Sequence, residues 1–341
     1  MQKTISLGIL CATLVWSCSA AGTTEPVYDK KLYPDTFPKT TELPERYYAH
    51  ITTDGTYTFA ASSNNIAGKG ETVPIAKEYY IAKYATTNEE WAAFINSTRR
   101  KSPKYWTNGA IPSGREKHPV LWVSYEEAMA YCDYLELSYP DYDFRLPTQA
   151  EWEFAAIGNS GSKYPWGNSS DITYDGKTLT SKFNFNAVIS AYILQTPDKI
   201  ATYNNIKSPR YGDKEAVKHI LSIGKNGSLS GWIDHSRHTG FVYTDLFTEI
   251  NKEGGYTCAV DAYPEGASHC GCYNMAGNCW EWTSSTEIAQ NGAEKGQFVN
   301  VIRGGSWYAT ASSCRASYRG EGRKASAAYA TVGLRVVATK K

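Results

Sequence analysis

The sequence predicts an α+β domain built of short helices and short strands that are joined by long irregular loops. Three observations support this fold class. Three segments carry the S/T-x-x-E pattern of a helix start, and two short stretches have the composition of strands. Roughly half of the chain shows no clear hydrophobic periodicity, which is typical of a fold with long surface loops.

Each helix is predicted from a capping box, in which a hydroxyl accepts from the amide three residues on and a Glu bonds back to the cap amide. The three boxes are Thr87–Glu90, Ser124–Glu127 and Thr148–Glu151, and apolar residues at helical spacing follow each of them. We therefore expect three helices of roughly ten residues each.

The strand predictions are fewer and shorter. Tyr79–Tyr84 and Leu334–Ala338 are short, mostly apolar stretches that predict strands. Residues 169–255 are rich in Asn, Ser, Gly, Tyr and Lys and carry little pattern, while patterned segments flank them on both sides. We interpret residues 169–255 as a loop insertion within one domain.

The first residues predict export and lipidation. Lys3 precedes an apolar segment over Ile5–Trp16, which is too short to span a bilayer but fits a signal peptide. The sequence Val15-Trp-Ser-Cys18 resembles a bacterial lipobox, which makes Cys18 the lipidated residue; soluble secretion is the alternative. The predicted organisation is a signal peptide with lipobox over 1–17, a tether over 18–45 and a domain over 46–341.

The charge balance argues against a nucleic-acid partner. The chain has 35 Lys and Arg against 34 Asp and Glu, so no basic excess is available for phosphates. Its 42% hydrophobic and 20% charged residues are those of an ordinary globular protein.

Six of the cysteines lie beyond the signal region, and an exported protein meets oxidising conditions. Six cysteines allow fifteen complete pairings, and the sequence cannot choose among them. Cys270 and Cys272 are too close for an ordinary internal bridge, whereas Cys258 and Cys270 are spaced far enough apart to pair. No Cys-x-x-Cys pair or zinc-type spacing occurs.

Several motifs together resemble one family. HPVLWVSYEEAMAYC (118–132), RLPTQAEWEFAA (145–156), YPWGN (164–168), YNMAGNCWEWTSS (273–285), RGGSW (303–307) and GLRVV (333–337) occur in this order. In this order they resemble the formylglycine-generating enzymes, also called sulfatase-modifying factors. The resemblance covers about residues 70–340 and implies a single α+β domain related to C-type lectins, the formylglycine-generating-enzyme fold.

The resemblance implies a calcium site in the segment that contains WEW. Its ligands would be Asn274, Gly277, Cys279 and Glu281. Asn274 has a side-chain oxygen, Glu281 has a carboxylate, and Gly277 and Cys279 have main-chain carbonyls, all oxygen donors of the kind calcium prefers. The alternative is that Glu281 is a buried acid bonded to backbone amides and that the tryptophans are core residues.

The resemblance also implies a catalytic site, and this chain has only part of it. Family enzymes oxidise a substrate cysteine with two cysteines that hold copper(I), and these positions are Ala309 and Cys314 here. Because Ala309 has no sulfur, copper(I) binding is not expected. Ser306 and Trp280 match family active-site positions, although both also have structural interpretations. Cys132 matches a family cysteine whose partner position holds valine, so it is free or paired differently.

We therefore expect an exported lipoprotein of the cell envelope, attached to the outer membrane, whose domain is catalytically degenerate. The domain would be a calcium-stabilised binding or structural module for a protein or a glycan. The alternative is an active formylglycine-generating oxidase that works through Cys314 with a second soft ligand from elsewhere in the chain.

Overall fold

The central sheet of the protein joins strands from both ends of the domain. In the computed structural model, its order is β1 (Tyr48–Thr52), β4 (Glu78–Ala82), β11 (Val337–Lys340) and β5 (Tyr142–Arg145). Every neighbouring pair is antiparallel. The strand nearest the C-terminus thus lies between strands from the first half of the chain.

The structure describes residues 40–60, 70–170, 173–174, 179–185, 255–290, 294–320 and 322–341. The predicted signal peptide, Cys18, most of the tether and most of the 169–255 insertion lie outside these residues. All described residues belong to one compact unit, which spans Tyr33–Lys341.

The three predicted helices are confirmed, and each begins where its capping box predicts. The helices are α1 (Asn88–Thr98), α2 (Tyr125–Ser138) and α3 (Gln149–Ile157), with 11, 14 and 9 residues. In all three, the cap hydroxyl accepts from the amide of the third helical residue, whose Glu side chain bonds back to the cap amide.

The second sheet has the order β10 (Val332–Gly333), β8 (Trp280–Ile288) and β9 (Phe298–Arg303). β8 and β9 are antiparallel with an irregularity in register, and β10 is parallel to β8. Helix α3 contacts both β8 and β9, so it packs against this sheet.

Two small hairpins complete the described strands. β2 (Thr56–Thr58) pairs with β3 (Thr72–Pro74), and β6 (Thr173–Tyr174) pairs with β7 (Leu179–Thr180). Two short 3₁₀ helices cover Pro264–Gly266 and Ala311–Cys314. The second of these contains the cysteine that the sequence singles out.

The core between the first sheet and α3 is apolar and fully buried. It includes Tyr79, Ile81, Trp152, Ala155 and Val337. At roughly 25 cal/mol per Å² of buried apolar surface, aromatic side chains such as Trp152 contribute most to this core.

Both strand predictions are correct in kind but shifted in position. β4 ends at Ala82, two residues before the predicted end at Tyr84. The predicted strand Leu334–Ala338 is only partly right, because β11 begins at Val337 and runs on to Lys340. Arg335 lies just before β11, and its side chain bonds to a buried carboxylate and to the Ala82 carbonyl.

All six cysteines in the described part of the chain are free, so the Cys258–Cys270 pairing is not formed in this structure. The described helices include none with the length and apolarity needed to cross a bilayer.

Candidate functional site

Helix α3 places two buried carboxylates against arginines from other elements. Glu151 completes the capping box and also receives both Nη atoms of Arg145 at 2.6 Å. Glu153 forms an ion pair with Arg303 of β9, and both side chains are fully buried. The Tyr57 hydroxyl also donates to Glu153 at 3.1 Å. Each buried acid therefore has a charged partner, as burial requires.

Between these two acids, Trp152 points at Glu281. The Trp152 Nε1 donates to Glu281 Oε2 at 2.7 Å. Arg335 donates from Nε to Oε2 and from Nη2 to Oε1 of the same carboxylate, both at 2.9 Å. Glu281 is 1% exposed and Arg335 is 0% exposed, so this is a bidentate ion pair within the core. Neither interpretation of Glu281 drawn from the sequence included this arginine.

Asn274 lies at the edge of this network with one unused acceptor. Its Nδ2 donates to the carbonyl of Val260 at 2.8 Å, and its Oδ1 is buried without a hydrogen-bond partner. The backbone is left-handed, with φ of 53°, a conformation that Asn tolerates better than most residues. An unpaired buried oxygen costs about 1–3 kcal/mol, so a cation at this oxygen would be stabilising.

The other two predicted calcium ligands follow Asn274 in the same turn. Gly277 has φ of 77°, and a Cβ there would lie 2.1 Å from the Asn184 carbonyl oxygen, so only glycine fits. Cys279 is buried, and burial followed by the charge of Glu281 raises the pKa of its thiol. The thiol therefore stays protonated, and the main-chain oxygen is the donor that Cys279 offers to a hard cation.

The predicted donors are oxygen atoms, the kind that calcium prefers, although the charge of Glu281 is already paired with that of Arg335. Glu281 Oε1 accepts one hydrogen bond in the structure, and a carboxylate has about four lone-pair positions in total, so acceptor capacity remains. Asn274 Oδ1 has no partner. No group of three or more His, Cys, Asp and Glu side chains that could hold a metal occurs in the described ranges. A cation here would depend on amide and main-chain oxygens with a single carboxylate.

Cys314 is sealed inside the protein. It is 0% exposed, and burial raises the pKa of its thiol, although backbone hydrogen bonds with Ser306 and Gly277 oppose the shift. Gly305 covers it so closely that a Cβ on Gly305 would lie 2.5 Å from Cys314 Sγ. The sulfur–sulfur contact that the described residues form joins Cys270 and Cys272, and Cys314 takes no part in it.

The remaining predicted catalytic residues are Ser306, which lies in this turn, and Trp280, which begins β8. Ser306 is buried, and its Oγ accepts from the Tyr308 amide at 3.3 Å. The Ala309 amide donates to the Ser306 carbonyl at 2.9 Å, so the position that lacks a sulfur lies in the same turn. Trp280 is half-buried, and its ring centre lies 6.0 Å from that of Tyr318.

The sequence reasoning missed two features of the described residues. One is Arg335, which lies within the quoted motif GLRVV and could have been noted as a charge inside an apolar run. The other is the contact between the sulfur atoms of Cys270 and Cys272, which are 3.4 Å apart although the sequence indicated only that these residues are too close for an ordinary bridge.

Comparison with known proteins agrees with the motifs. Residues 38–206 and 226–340 match the family of sulfatase-modifying factor enzyme 1-like domains. The chain is 29% identical over 212 residues to a Mus musculus protein named inactive C-alpha-formylglycine-generating enzyme 2, covering 61% of this chain and 44% of the relative. It is 25% identical over 320 residues to chaperone protein LppX of Paenibacillus barcinonensis, covering 83% of this chain and 86% of that protein.

Similarity to a solved structure supports the fold. PvdO from Pseudomonas aeruginosa superposes with a TM-score of 0.52 at 18% identity, covering 85% of this chain and 93% of PvdO. This likeness confirms the predicted fold class, while the chain spans less than half the length of the mouse relative. The matched residues cover most of the sequence, and the chain belongs to the family of sulfatase-modifying factor enzyme 1-like domains.

Proposed function

We propose that this chain is a catalytically degenerate member of its family, which serves as a calcium-stabilised binding or structural module of the cell envelope. The observation that carries the proposal is the state of Cys314. Its sulfur is buried under Gly305 and its thiol is held protonated by burial. Position 309, where the family resemblance implies the second copper ligand, is an alanine.

Copper(I) needs soft ligands, and one buried neutral thiol offers neither the charge nor the geometry of two thiolates. The name of the mouse relative describes it as inactive, which supports loss of oxidase activity in this chain as well. The name of the Paenibacillus relative describes a chaperone, which supports a role in binding another protein. A glycan partner is the other class that we retain within the binding role.

Calcium is the stabilising ion in this proposal. The free Asn274 Oδ1 and the remaining acceptor capacity of Glu281 support it. The ion would coordinate the unpaired Asn274 oxygen and hold the turn that leads from Asn274 into β8.

Envelope attachment rests on the sequence around Cys18. Export through the predicted signal peptide would leave Cys18 as the lipidated first residue of an outer-membrane lipoprotein. A Cys18→Ser variant is expected to move from the membrane fraction to the soluble fraction and to lose incorporation of labelled fatty acid. Equal membrane association of both proteins would contradict lipidation.

The test of lost catalysis restores the absent sulfur. Copper(I) affinity is measured anaerobically by competition with bicinchoninate in a Cys270→Ser background, so that the dithiol of Cys270 and Cys272 does not compete for the metal. We expect Ala309→Cys to bind copper(I) at least about 100-fold more tightly than its parent, because two thiolates replace one. The matched control Ala309→Ser is expected to behave like the parent.

A second arm measures the chemistry itself. The unmodified protein is incubated with copper(I), oxygen and a Cys-x-Pro-x-Arg peptide, and aldehyde is sought by mass spectrometry. We expect none. Aldehyde that forms in the unmodified protein and disappears in Cys314→Ala would overturn the proposal and establish the oxidase alternative.

A further inference from the structure

The dithiol of Cys270 and Cys272 is held in a prepared geometry. The two Sγ atoms are 3.4 Å apart, whereas a disulfide bond is about 2.05 Å long, so a small approach would join them. The Ser268 amide donates to the Cys272 carbonyl at 2.8 Å, and the Cys272 amide donates back to Ser268 Oγ at 3.1 Å. These bonds close the turn at both ends and fix the two sulfurs on the same side of it.

Gly271 makes this turn possible. Its φ is 78°, in the left-handed region that favours glycine, and its amide donates to the Ser268 carbonyl at 2.9 Å. A disulfide bond between two cysteines with a single residue between them would be strained. A strained disulfide is more easily reduced than a relaxed one. The geometry therefore favours a bond that forms and breaks over a structural one.

The two sulfurs differ in access. Cys272 is fully buried, and Cys270 is partly exposed and lines a cavity of about 490 Å³ together with Tyr48, Tyr80 and Tyr142. Cys270 is therefore the one of the two cysteines that borders the cavity, and its Sγ also bonds to the Ala155 carbonyl at 3.2 Å. Once Cys270 has reacted, Cys272 lies next to its sulfur, which is where a resolving thiol is needed.

The surroundings of Cys270 also favour its thiolate. The hydrogen bond from Cys272 lowers the pKa of Cys270, and Ser268 and the nearby His269 act in the same direction, against the effect of burial. Ser268 Oγ lies 3.2 Å from Cys270 Sγ. The thiolate is the species that attacks a disulfide.

The charges of the cavity indicate the kind of disulfide that fits. Lys83 and Lys340 line it together with Glu42 and Glu45. The side chain of Lys83 passes the turn, 3.9 Å from the position that a Cβ on Gly271 would occupy. Two ammonium and two carboxylate groups complement a molecule that itself carries both charges, as an amino-acid disulfide does.

We propose that Cys270 and Cys272 form a thiol–disulfide exchange site. The site reduces a low-molecular-weight, zwitterionic disulfide of the cystine class. The Cys270 thiolate attacks one sulfur of R–S–S–R, which forms a Cys270–S–S–R bond and releases R–S⁻. The Cys272 sulfur, on losing its proton, attacks Cys270 Sγ, which forms the Cys270–Cys272 bond and releases the second R–S⁻. Both leaving thiolates take up protons, so two protein thiols are oxidised and one disulfide is reduced to two thiols.

The site is separate from the family's copper position and does not depend on the proposed function. Neither Cys270 nor Cys272 belongs to the turn that contains Ala309 and Cys314. Disulfide exchange at Cys270 can therefore be tested whether or not the domain has oxidase activity.

The experiment treats the reduced protein with cystine under native conditions, alkylates the remaining thiols, and maps the peptides by mass spectrometry. We expect the peptide that contains residues 270–272 to become lighter by two hydrogens, with no lasting adduct, and cysteine to restore the thiols. We expect Cys272→Ser to keep a stable mixed disulfide on Cys270, because the resolving thiol is gone. Cys270→Ser is expected to react at least tenfold more slowly, and the control Cys132→Ser, a buried cysteine elsewhere, is expected to react like the unmodified protein.

Three results would overturn the proposal. They are full alkylation of both cysteines after cystine treatment, a mixed disulfide that persists on Cys270 in the unmodified protein, and Cys270→Ser reacting at the unmodified rate. The first two are read on the unmodified protein, so the proposal stays testable even if a variant fails to fold.

Discussion

Arg335 and Glu281 form a bidentate ion pair inside the core, with both N–O distances at 2.9 Å. Removing one member leaves the other as a buried uncompensated charge, which costs about 3–5 kcal/mol. We expect Arg335→Met to lower the free energy of unfolding by about this amount in urea titrations. The double variant Arg335→Met/Glu281→Leu is expected to lose less than the sum of the two single variants, because it leaves no charge behind. Additive losses would show that the pair does not act as a unit.

An exposed pair in the first sheet serves as the control for this prediction. His50 and Glu78 are 2.8 Å apart, but both side chains are about half exposed, at 48% and 62%. We expect Glu78→Gln to change the free energy of unfolding by less than about 1 kcal/mol, because solvent screens the pair.

The contact between Gly305 and Cys314 predicts a large cost for one added methyl group. A Cβ on Gly305 would come within 2.9 Å of Cys314 Cα as well as 2.5 Å of its Sγ, and φ is 80°. We expect Gly305→Ala to lower the free energy of unfolding by about 3 kcal/mol, from backbone strain and overpacking together. The matched control is Gly114→Ala, which has φ of 76° and nothing within 4 Å. It should lose only about 1 kcal/mol, and equal losses at both positions would refute the overpacking explanation.

Half-buried His118 predicts a loss of stability in acid. Burial, with a further contribution from Arg115, lowers the pKa of His118 from 6.5 to about 4. Between these two pH values the His118 imidazole is protonated in the unfolded chain but not in the folded protein. The free energy of unfolding therefore decreases as the pH falls from 6.5 to 4. We expect His118→Gln to reduce this decrease by about 1–2 kcal/mol, while the difference from the unmodified protein stays constant between pH 7 and 8. Parallel stability curves across the acid range would contradict the assignment.

Calcium is expected to stabilise the protein through Asn274. At a concentration about 100-fold above the dissociation constant, the ion should add about 2–3 kcal/mol, seen as a higher Tm that chelator reverses. We expect Asn274→Ala to abolish the response. Asn278→Ala is the matched control, because Asn278 is also buried and left-handed, but its Oδ1 already accepts from the Cys258 amide at 2.9 Å. That variant should be destabilised equally with and without calcium, and a Tm unaffected by chelator in the unmodified protein would rule out the site.

The sequence predicts the helices well because a capping box is local. Thr87, Ser124 and Thr148 each bond within three residues, so the signal and the structure occupy the same short segment. Helix starts were therefore predicted correctly, whereas the start of β11 was not; Arg335, just before β11, bonds to a residue 54 positions away in the chain.

The site was predicted less completely, for the same physical reason. The segment with Asn274, Gly277 and Glu281 can be recognised from the motif, but the arginine that neutralises Glu281 arrives from another part of the chain. The separation of Cys270 and Cys272 in sequence likewise does not indicate which of the two cysteines is accessible. Their accessibility depends on the cavity beside Cys270, which is lined by residues of the first sheet and by residues that precede it.

The position of β11 in the middle of the first sheet orders the events of folding. Strands β1 and β4 are made early in synthesis, but they cannot be joined to β5 until residues 337–340 have left the ribosome, because β11 lies between them. Contacts of such long sequence separation form slowly. The first sheet therefore closes only when residues 337–340 join it, late in the synthesis of the chain.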